Sequence, residues 1–316
     1  MRPACSVLAW EEYIHTKQAI FSLGGVTEVR KLFLALLLFL LTTATAYADA
    51  APGDTIVTYG EDLTSTQKQQ IQSRFKAPSN AQELTVTNQE EHKYLDGLLS
   101  KSVIGSRALS SAMIQIAEPG QGIAVETNNI TWVSKAMYEN ALATAGVKDA
   151  SVKIDAPFRV SGTAALTGIM KAYETVTGTK IDENQKKVAN EEMVTTAKIG
   201  EQIGDKEKAA ELLTRLKAEL AKQTGNMSDD QLREMIRNVA SQMGLQLSDA
   251  EIESLVSILR KIQNLDIDWN KALDQISSYK GQVQDFLNSN PEAKSLVQEI
   301  LTFLKNLIDQ ILAWFK

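Results

Sequence analysis

The chain is short of the two residue types that most often bind zinc. It contains one cysteine, Cys5, and two histidines, His15 and His92, among 316 residues. Thiolates and imidazoles are the usual zinc ligands, and a disulfide bond needs a pair of cysteines. We therefore expect no disulfide bond, no metal centre and no cofactor, so the fold must depend on a buried apolar core.

Clustered positive charge is also lacking. The chain carries 33 basic and 39 acidic residues, a formal net charge of −6. Nucleic-acid binding depends on Lys and Arg that neutralise phosphates, and adsorption to anionic lipid depends on polybasic segments. The charge pattern predicts no nucleic-acid partner and no electrostatic attachment to a lipid surface.

Long apolar runs are absent apart from the ten residues Leu32–Leu41, which follow two basic residues. A helix that spans a membrane needs about 20 apolar residues. A short apolar core followed by small residues, here Ala46 and Ala48, is typical of a signal peptide that is cleaved on export. We expect residues 29–48 to form such a signal, leaving an extracytoplasmic mature chain with no integral membrane span; an uncleaved anchor is the less favoured alternative.

Residues 1–28 precede a signal that is already complete. The codons of Leu23–Gly25 can contain a purine-rich ribosome-binding sequence, and Val29 lies a suitable distance downstream for a GTG start. We expect residues 1–28 to be translated upstream sequence. Cleavage after Ala48 would leave 268 residues, with 29 basic and 36 acidic side chains and no cysteine.

The first half of the mature chain, residues 49–180, alternates short β-branched stretches with capped helical stretches. The box Thr64-x-x-Gln67 predicts the start of a helix. The stretches Ala108–Ala117 and Gly122–Glu126 flank a Pro-Gly turn, which predicts a β-hairpin. Strands and helices interleaved in this way favour a sheet covered by helices.

After residue 180 the strand pattern disappears, and residues 181–316 are predicted to be all helical. Two capping boxes with matching spacing, Ser228-x-x-Gln231 and Ser248-x-x-Glu251, start helices there. Further helices are expected over about Trp269–Asn288 and Pro291–Lys316. The predicted fold class is α+β, with an α/β-like sandwich in the N-terminal half and an all-α helical region in the C-terminal half.

Several segments of the first half have a distinctive amino-acid sequence. They are Thr58–Leu63, Val86–Leu95, Ile104–Ser111, Asn129–Val133 and Ala156–Met170. In order and content they resemble the DUF1002 family, exported proteins of Gram-positive bacteria. The resemblance implies export and this architecture, and it transfers no catalytic residue to this chain.

The candidate ligand-binding residues lie within these segments and are His92, Arg107, Ser161 and Thr163. His92 is on a short helix that the box Asn88-x-x-Glu91 is expected to open. An imidazole there can act as a general base if a nucleophile lies nearby, or can simply form local hydrogen bonds on the helix face. We favour the second interpretation.

Ser161-Gly162-Thr163 is expected at a helix start, where backbone amides and two hydroxyls can face an anion. The Gly-Lys-Ser/Thr ending of a phosphate loop is missing, so nucleotide hydrolysis is not indicated. Capping by Ser161 and close packing at Gly162 and Gly168 explain the same residues without a ligand.

Asp266-x-Asp268-x-Asn270 matches the beginning of a calcium loop. The glycine and the final glutamate of such a loop are replaced by Lys271 and Ser277. We therefore expect Asp268 to cap the helix that follows and not to bind calcium.

The end of the chain carries an apolar stripe at helical spacing, from Val297 to Phe315. Such a stripe must be buried against the chain's own helices, a partner or a membrane interface. We favour internal packing, because the helices of a bundle need such a stripe. A partner contact by this helix is the alternative.

The predicted function is that of an exported cell-envelope protein, most simply a non-enzymatic binding or structural module with an envelope protein or polymer as partner. The alternative is a hydrolase that acts on an envelope polymer. A pair of buried, facing carboxylates in a cleft would favour the hydrolase. An exposed apolar groove would favour the binding module.

Overall fold

The computed structural model describes residues 50–276 of the chain. Three predictions therefore lie outside the described residues. They are the signal peptide with its cleavage residues Ala46 and Ala48, the upstream segment 1–28, and the amphipathic helix at the end of the chain.

Five strands in the described part form one mixed sheet in the order β2-β1-β3-β5-β4. The outer pairs β1–β2 and β4–β5 are parallel, and the inner pairs β1–β3 and β3–β5 are antiparallel. The strands are β1 (Thr55–Gly60), β2 (Gln82–Val86), β3 (Ser111–Ile116), β4 (Ile123–Ile130) and β5 (Ala150–Val160).

Helices follow the strands in two groups, the first interleaved with the sheet and the second beyond it. The first group is α1 (Ser65–Phe75), α2 (Asn88–Leu95), α3 (Lys101–Ile104), α4 (Lys135–Thr144) and α5 (Thr163–Thr177). The second is α6 (Glu183–Ile203), α7 (Lys206–Ala221), α8 (Asp229–Gln242), α9 (Asp249–Gln263) and α10 (Trp269–Asp274). This arrangement confirms the predicted α+β class.

The two faces of the sheet are covered by different helices because side chains alternate along each strand. Val57 and Tyr59 of β1 pack with Ile71 and Phe75 of α1. Ile56 of β1 faces the other way, into the larger core that α4 and α5 close. The sheet is thus buried on both sides.

The larger core continues past the sheet into the helical half. Besides residues of the sheet, α4 and α5, it contains Met193 and Val194 of α6 and Ala210 of α7. A second apolar cluster joins α6 and α7 to α8 and α9 through residues such as Leu213, Ile236 and Leu259. The helical half therefore shares one core with the sheet and builds another of its own.

The predicted hairpin of β3 and β4 is wrong, because β5 lies between the two strands. Val152 of β5 is opposite Ile114 of β3 on one side and Val125 of β4 on the other. The Pro-Gly turn is held instead by Asp149, whose Oδ1 accepts hydrogen bonds from the amides of Gly120 and Gly122 at 2.9 and 2.8 Å. The apolar positions of β5 are best buried between two neighbouring strands, and local turn chemistry does not show this.

The predicted capping boxes at Thr64, Ser228 and Ser248 are confirmed, each with its reciprocal pair of hydrogen bonds. Asp268 caps α10, as expected, by accepting from the amide of Lys271. These caps satisfy amides that a helix start would otherwise leave unpaired.

Of the helix predicted over Trp269–Asn288, residues 277–288 lie outside the described residues, and within them α10 ends at Asp274. The Gln275 carbonyl accepts a hydrogen bond from the Ile123 amide at 2.6 Å, and Ile276 bridges to Ile123 at the start of β4. The Gln275 side chain also accepts from the amide of Asp149 at 2.7 Å. Gln275 and Ile276 therefore bond to the start of β4 and do not continue α10.

Candidate functional site

A cavity of about 440 Å³ opens at the amino end of α5, and we call it the α5 pocket. Its walls come from α2, from the loop after α3, from the loop after β4 and from the β5–α5 junction. The lining residues that bear on its chemistry are Glu91, Arg107, Ser110, Trp132, Ser161 and Thr163. A second cavity, of about 730 Å³, lies between the α4–β5 loop and α10 and contains none of the predicted site residues.

Helix α5 begins beside the pocket because Gly162 adopts a left-handed backbone. Its φ is +96°, and a Cβ at this position would lie 2.5 Å from both Ile130 Cγ2 and the Tyr138 hydroxyl. The Tyr138 hydroxyl donates a hydrogen bond to the Gly162 carbonyl at 2.5 Å. Only glycine fits such a backbone and such close neighbours.

The predicted cap at Ser161 is wrong, because Gly162 is the N-cap and has no side chain to bond the first turn. The Ser161 hydroxyl lies 3.1 Å from the Thr163 hydroxyl instead. The amides of a helix's first turn have no partner within the helix. Gly162, Thr163 and Ala164 line the pocket, so this uncapped turn borders the cavity.

Glu91 is the acidic residue of the pocket, and its carboxyl group is not used by the cap of α2, which starts one residue earlier than predicted. The cap of α2 is Thr87 paired with Glu90, so the predicted box Asn88-x-x-Glu91 is wrong. Glu91 is 1% exposed. Its Oε1 accepts a hydrogen bond from the Thr163 hydroxyl at 2.5 Å.

Burial raises the pKa of Glu91 to about 7, against hydrogen bonds from Thr163 and Asn88 that favour the ionised form. Removing a carboxylate from water penalises its charge, and two neutral donors offset only part of that cost. Glu91 therefore changes its charge near neutral pH, where an ordinary glutamate is fully ionised.

His92 lies behind the pocket wall and does not line the cavity. Its Nδ1 is 2.7 Å from Asp96 Oδ1, and its Nε2 is 3.2 Å from the Gly105 carbonyl. The hydrogen bond to Asp96 raises the pKa of the imidazole. With both nitrogens engaged, His92 holds the backbone of the loop that continues to Arg107.

Arg107 lines the pocket with an exposed side chain. Within residues 50–276 its guanidinium has no hydrogen-bond or ion-pair partner. The neighbouring residue is fixed, since the Ala108 amide donates to Asp62 Oδ2 at 2.8 Å. The loop is thus anchored, while the charge of Arg107 is unpaired in the part of the chain that the structure describes.

The structure brings Arg107, Ser161 and Thr163 into one pocket and places His92 next to it. Their assignment as ligand-binding residues stays a prediction. Sequence reasoning missed Glu91 as a site residue. The signal was present: Glu91 lies four residues before the buried Leu95, on the same face of α2, and Thr87-x-x-Glu90 is an equally good capping box.

The chemistry of the pocket is limited by its lining. Glu91 is its one acidic side chain among the described residues, so a facing pair of carboxylates is not found there. No group of three or more His, Cys, Asp or Glu within residues 50–276 could hold a metal ion. No helix in the same range has the length and apolarity needed to cross a bilayer.

Comparison with known proteins finds one matching family and one similar curated protein. The profile of a family described as "Protein of unknown function (DUF1002)" matches residues 59–279, which include the whole α5 pocket. The uncharacterized protein YpuA of Bacillus subtilis (strain 168) is 43% identical over 282 residues, covering 89% of this chain and 97% of the relative. No solved structure shows significant similarity.

Proposed function

The chain belongs to the DUF1002 family, and from that premise we propose that it is an exported binding module of the Gram-positive cell envelope whose ligand occupies the α5 pocket. The observation that carries the proposal is the guanidinium of Arg107, which has no partner within residues 50–276 and lies at a cavity also lined by Ser161 and Thr163. Polar groups that converge on a preformed cavity are the usual sign of a ligand site.

The build of the pocket supports binding. Four separate segments meet there, and two of them are fixed by hydrogen bonds from residues that do not line the cavity. Tyr138 holds the start of α5 through the Gly162 carbonyl, and His92 holds the loop through the Gly105 carbonyl. A site whose walls are already in place loses little conformational entropy when a ligand binds.

Export is supported by the apolar run Leu32–Leu41 and the small residues Ala46 and Ala48. Expression in a Gram-positive host should release a protein whose amino-terminal sequence begins at Asp49. Recovery of the uncleaved chain in the cytoplasm would contradict the proposal. Replacing Ala48 with a bulky residue, Ala48→Phe, should block processing, whereas Ala50→Phe, outside the A-x-A motif, should be processed normally.

Binding is tested with soluble fragments of the cell wall, both peptidoglycan fragments and teichoic-acid fragments, titrated into the full chain. We expect at least one class to bind, and Arg107→Gln to weaken that binding about tenfold or more, because an arginine–anion contact is lost. The control is Arg159→Gln, which removes an exposed arginine outside the pocket. Equal binding by all three proteins, or binding by none, would refute the proposal.

A hydrolase is the second candidate, and one observation favours it: a carboxyl with a pKa of about 7 suits a general acid at neutral pH. Incubation of the same wall fragments with the full chain should release new reducing ends or amino groups if this is correct. The product should disappear in Glu91→Gln. Binding without any product supports the binding module.

A further inference from the structure

We infer that the ligand presents a carboxylate or phosphate group to Arg107 at the start of α5, and that Glu91 is protonated when this anion is bound. The inference rests on the proposed function and adds the charge of the ligand and a coupling between binding and pH. It is based on two described residues that line the same cavity, Arg107, which has no partner within residues 50–276, and the buried Glu91.

The charge of the ligand follows from the lining. Arg107 is the one basic side chain among the described residues that line the α5 pocket, and no carboxylate in that range pairs with it. A guanidinium binds a carboxylate or phosphate with two parallel hydrogen bonds. Beside it, the uncapped first turn of α5 offers backbone amides to an anion.

A cationic ligand is disfavoured by the same geometry. Glu91 is the acid that could attract it, but Glu91 is 1% exposed and its Oε1 is occupied by the Thr163 hydroxyl. A cation would therefore meet the positive charge of Arg107 before it could reach the carboxyl group. Arg107 is exposed at the pocket, whereas the carboxyl group of Glu91 lies behind the Thr163 hydroxyl.

The coupling to pH follows from the contact between Thr163 and Glu91. Thr163 both lines the cavity and donates to the Glu91 carboxyl group. An anion bound at the start of α5 is thus separated from Glu91 by a single hydroxyl. Like charges at this range disfavour ionisation, so the bound anion stabilises the neutral acid.

The other groups around Glu91 do not remove this repulsion. They are Asn88 and His92 on α2, Tyr138 on α4, Thr163 on α5 and Arg107 in the loop. Protonated His92 favours the ionised form of Glu91, but its two nitrogens bond Asp96 and the Gly105 carbonyl, and Tyr138 donates to the Gly162 carbonyl. Arg107 lines the same cavity and is the group that an incoming anion would contact.

The test uses small probes that differ in charge alone. N-acetylglycine carries a carboxylate and N-acetylglycinamide is its neutral match, while dimethyl phosphate is a phosphodiester monoanion. Each is titrated into the full chain, and the amide resonances of Ser161–Ala164 are followed by NMR. We expect both anions, and not the amide, to shift these resonances, and the ratio of their affinities separates a carboxylate site from a phosphate site.

The pH dependence is measured with N-acetylglycine, whose own charge is constant from pH 6 to pH 8. Affinity should fall about fivefold across this range, the value for a rise of about one unit in the pKa of Glu91 from about 7. Glu91→Gln should retain binding and lose the pH dependence, Arg107→Gln should lose binding, and Arg159→Gln should behave like the wild type.

Two outcomes would overturn the inference. One is equal affinity for N-acetylglycine and N-acetylglycinamide, or no shift with either anion. The other is an unchanged pH dependence in Glu91→Gln. Wall fragments that bind through Arg107 under either outcome would leave the proposed function standing, and anion binding without any wall-fragment binding would refute the proposed function alone.

Discussion

At the scale of single residues, the pocket depends on which face of α2 each side chain occupies. Glu90 and Glu91 are adjacent in sequence and have opposite surroundings. Glu90 pairs with Lys171 at 2.6 Å at the surface, and Glu91 is buried against Thr163. Accordingly the pKa of Glu90 is lowered, although desolvation alone would raise it, and burial raises the pKa of Glu91 to about 7.

Glu91 should make the stability of the protein depend on pH. Its folded pKa of about 7 lies above its ordinary value, so its favourable contribution is complete below the ordinary value and is lost as pH rises through 7. Between pH 5 and pH 8 the loss should be about 2 kcal/mol. Urea denaturation at both pH values should show this decrease in the wild type relative to Glu91→Gln; parallel curves for the two proteins would contradict it.

A second buried acid, Glu192 on α6, is paired with Lys217 on α7 at 2.8 Å, and both side chains are 1% exposed. The Thr144 hydroxyl donates to the other Glu192 oxygen, and Lys217 also donates to the Asn140 carbonyl. Burial raises the pKa of Glu192 and lowers that of Lys217, and their mutual attraction opposes both shifts. This pair links α4, α6 and α7.

Removing one partner of that pair should be costly. Lys217→Met leaves the Glu192 carboxyl buried without its cation and should lower the free energy of unfolding by about 3–5 kcal/mol. The surface pair Lys222–Glu219 provides the control, because Lys222→Met should cost less than about 1 kcal/mol. Both are measured by urea denaturation. A loss for Lys217→Met as small as that of the control would refute the argument, and the double variant with Glu192→Leu should recover part of the stability.

At the scale of elements, α5 is closed at both ends by glycines in the left-handed region. Gly162 precedes the helix with a φ of +96°, and Gly178 follows it with a φ of +65°. Their surroundings differ, since a Cβ at Gly162 would collide with Ile130 and Tyr138, and none of the described atoms lies within 4 Å of a Cβ at Gly178. The first glycine is therefore required by packing and the second by backbone conformation alone.

These two glycines give a matched pair of substitutions. Gly178→Ala should cost about 1 kcal/mol, the price of a left-handed alanine. Gly162→Ala should cost at least about 2 kcal/mol more, because it adds overpacking against Ile130 and Tyr138 to the same backbone strain. Thermal and urea unfolding of both variants measure the difference. Equal losses would show that the start of α5 can move away from its neighbours.

At the scale of the whole molecule, the sheet and the helical half share apolar residues. The division at residue 180 stays a prediction, and the larger core crosses it through Met193, Val194 and Ala197 of α6. A chain whose parts share a core unfolds cooperatively, because neither part can lose its neighbour without exposing apolar surface.

We therefore expect a single unfolding transition for the full chain. Fluorescence of Trp132, which lies beside the sheet, and of Trp269, on α10, should change at the same urea concentration. Single-tryptophan variants, with the other tryptophans replaced by Phe, separate the two signals, and far-UV circular dichroism provides an independent third probe. Two separated midpoints would show that the halves unfold independently.

The sequence by itself determined the α+β class, most helix starts and the family, because these depend on local patterns. A capping box needs only four residues, and Thr64, Ser228 and Ser248 each start a helix as predicted. Three of the four predicted site residues also came together in one pocket. The quoted segments were enough to indicate the DUF1002 family, and the profile and relative confirm it.

Only the tertiary structure decided the position of β5 between β3 and β4, the end of α10 at Asp274 and the burial of Glu91. Each depends on a partner distant in the chain: β5 on both neighbouring strands, Gln275 on Ile123, and Glu91 on Thr163. At such positions the local sequence is compatible with two structures of similar stability, for example a helix cap at Thr87 or one at Asn88. The choice is made by the apolar surface and the hydrogen bonds that become available when the whole core forms.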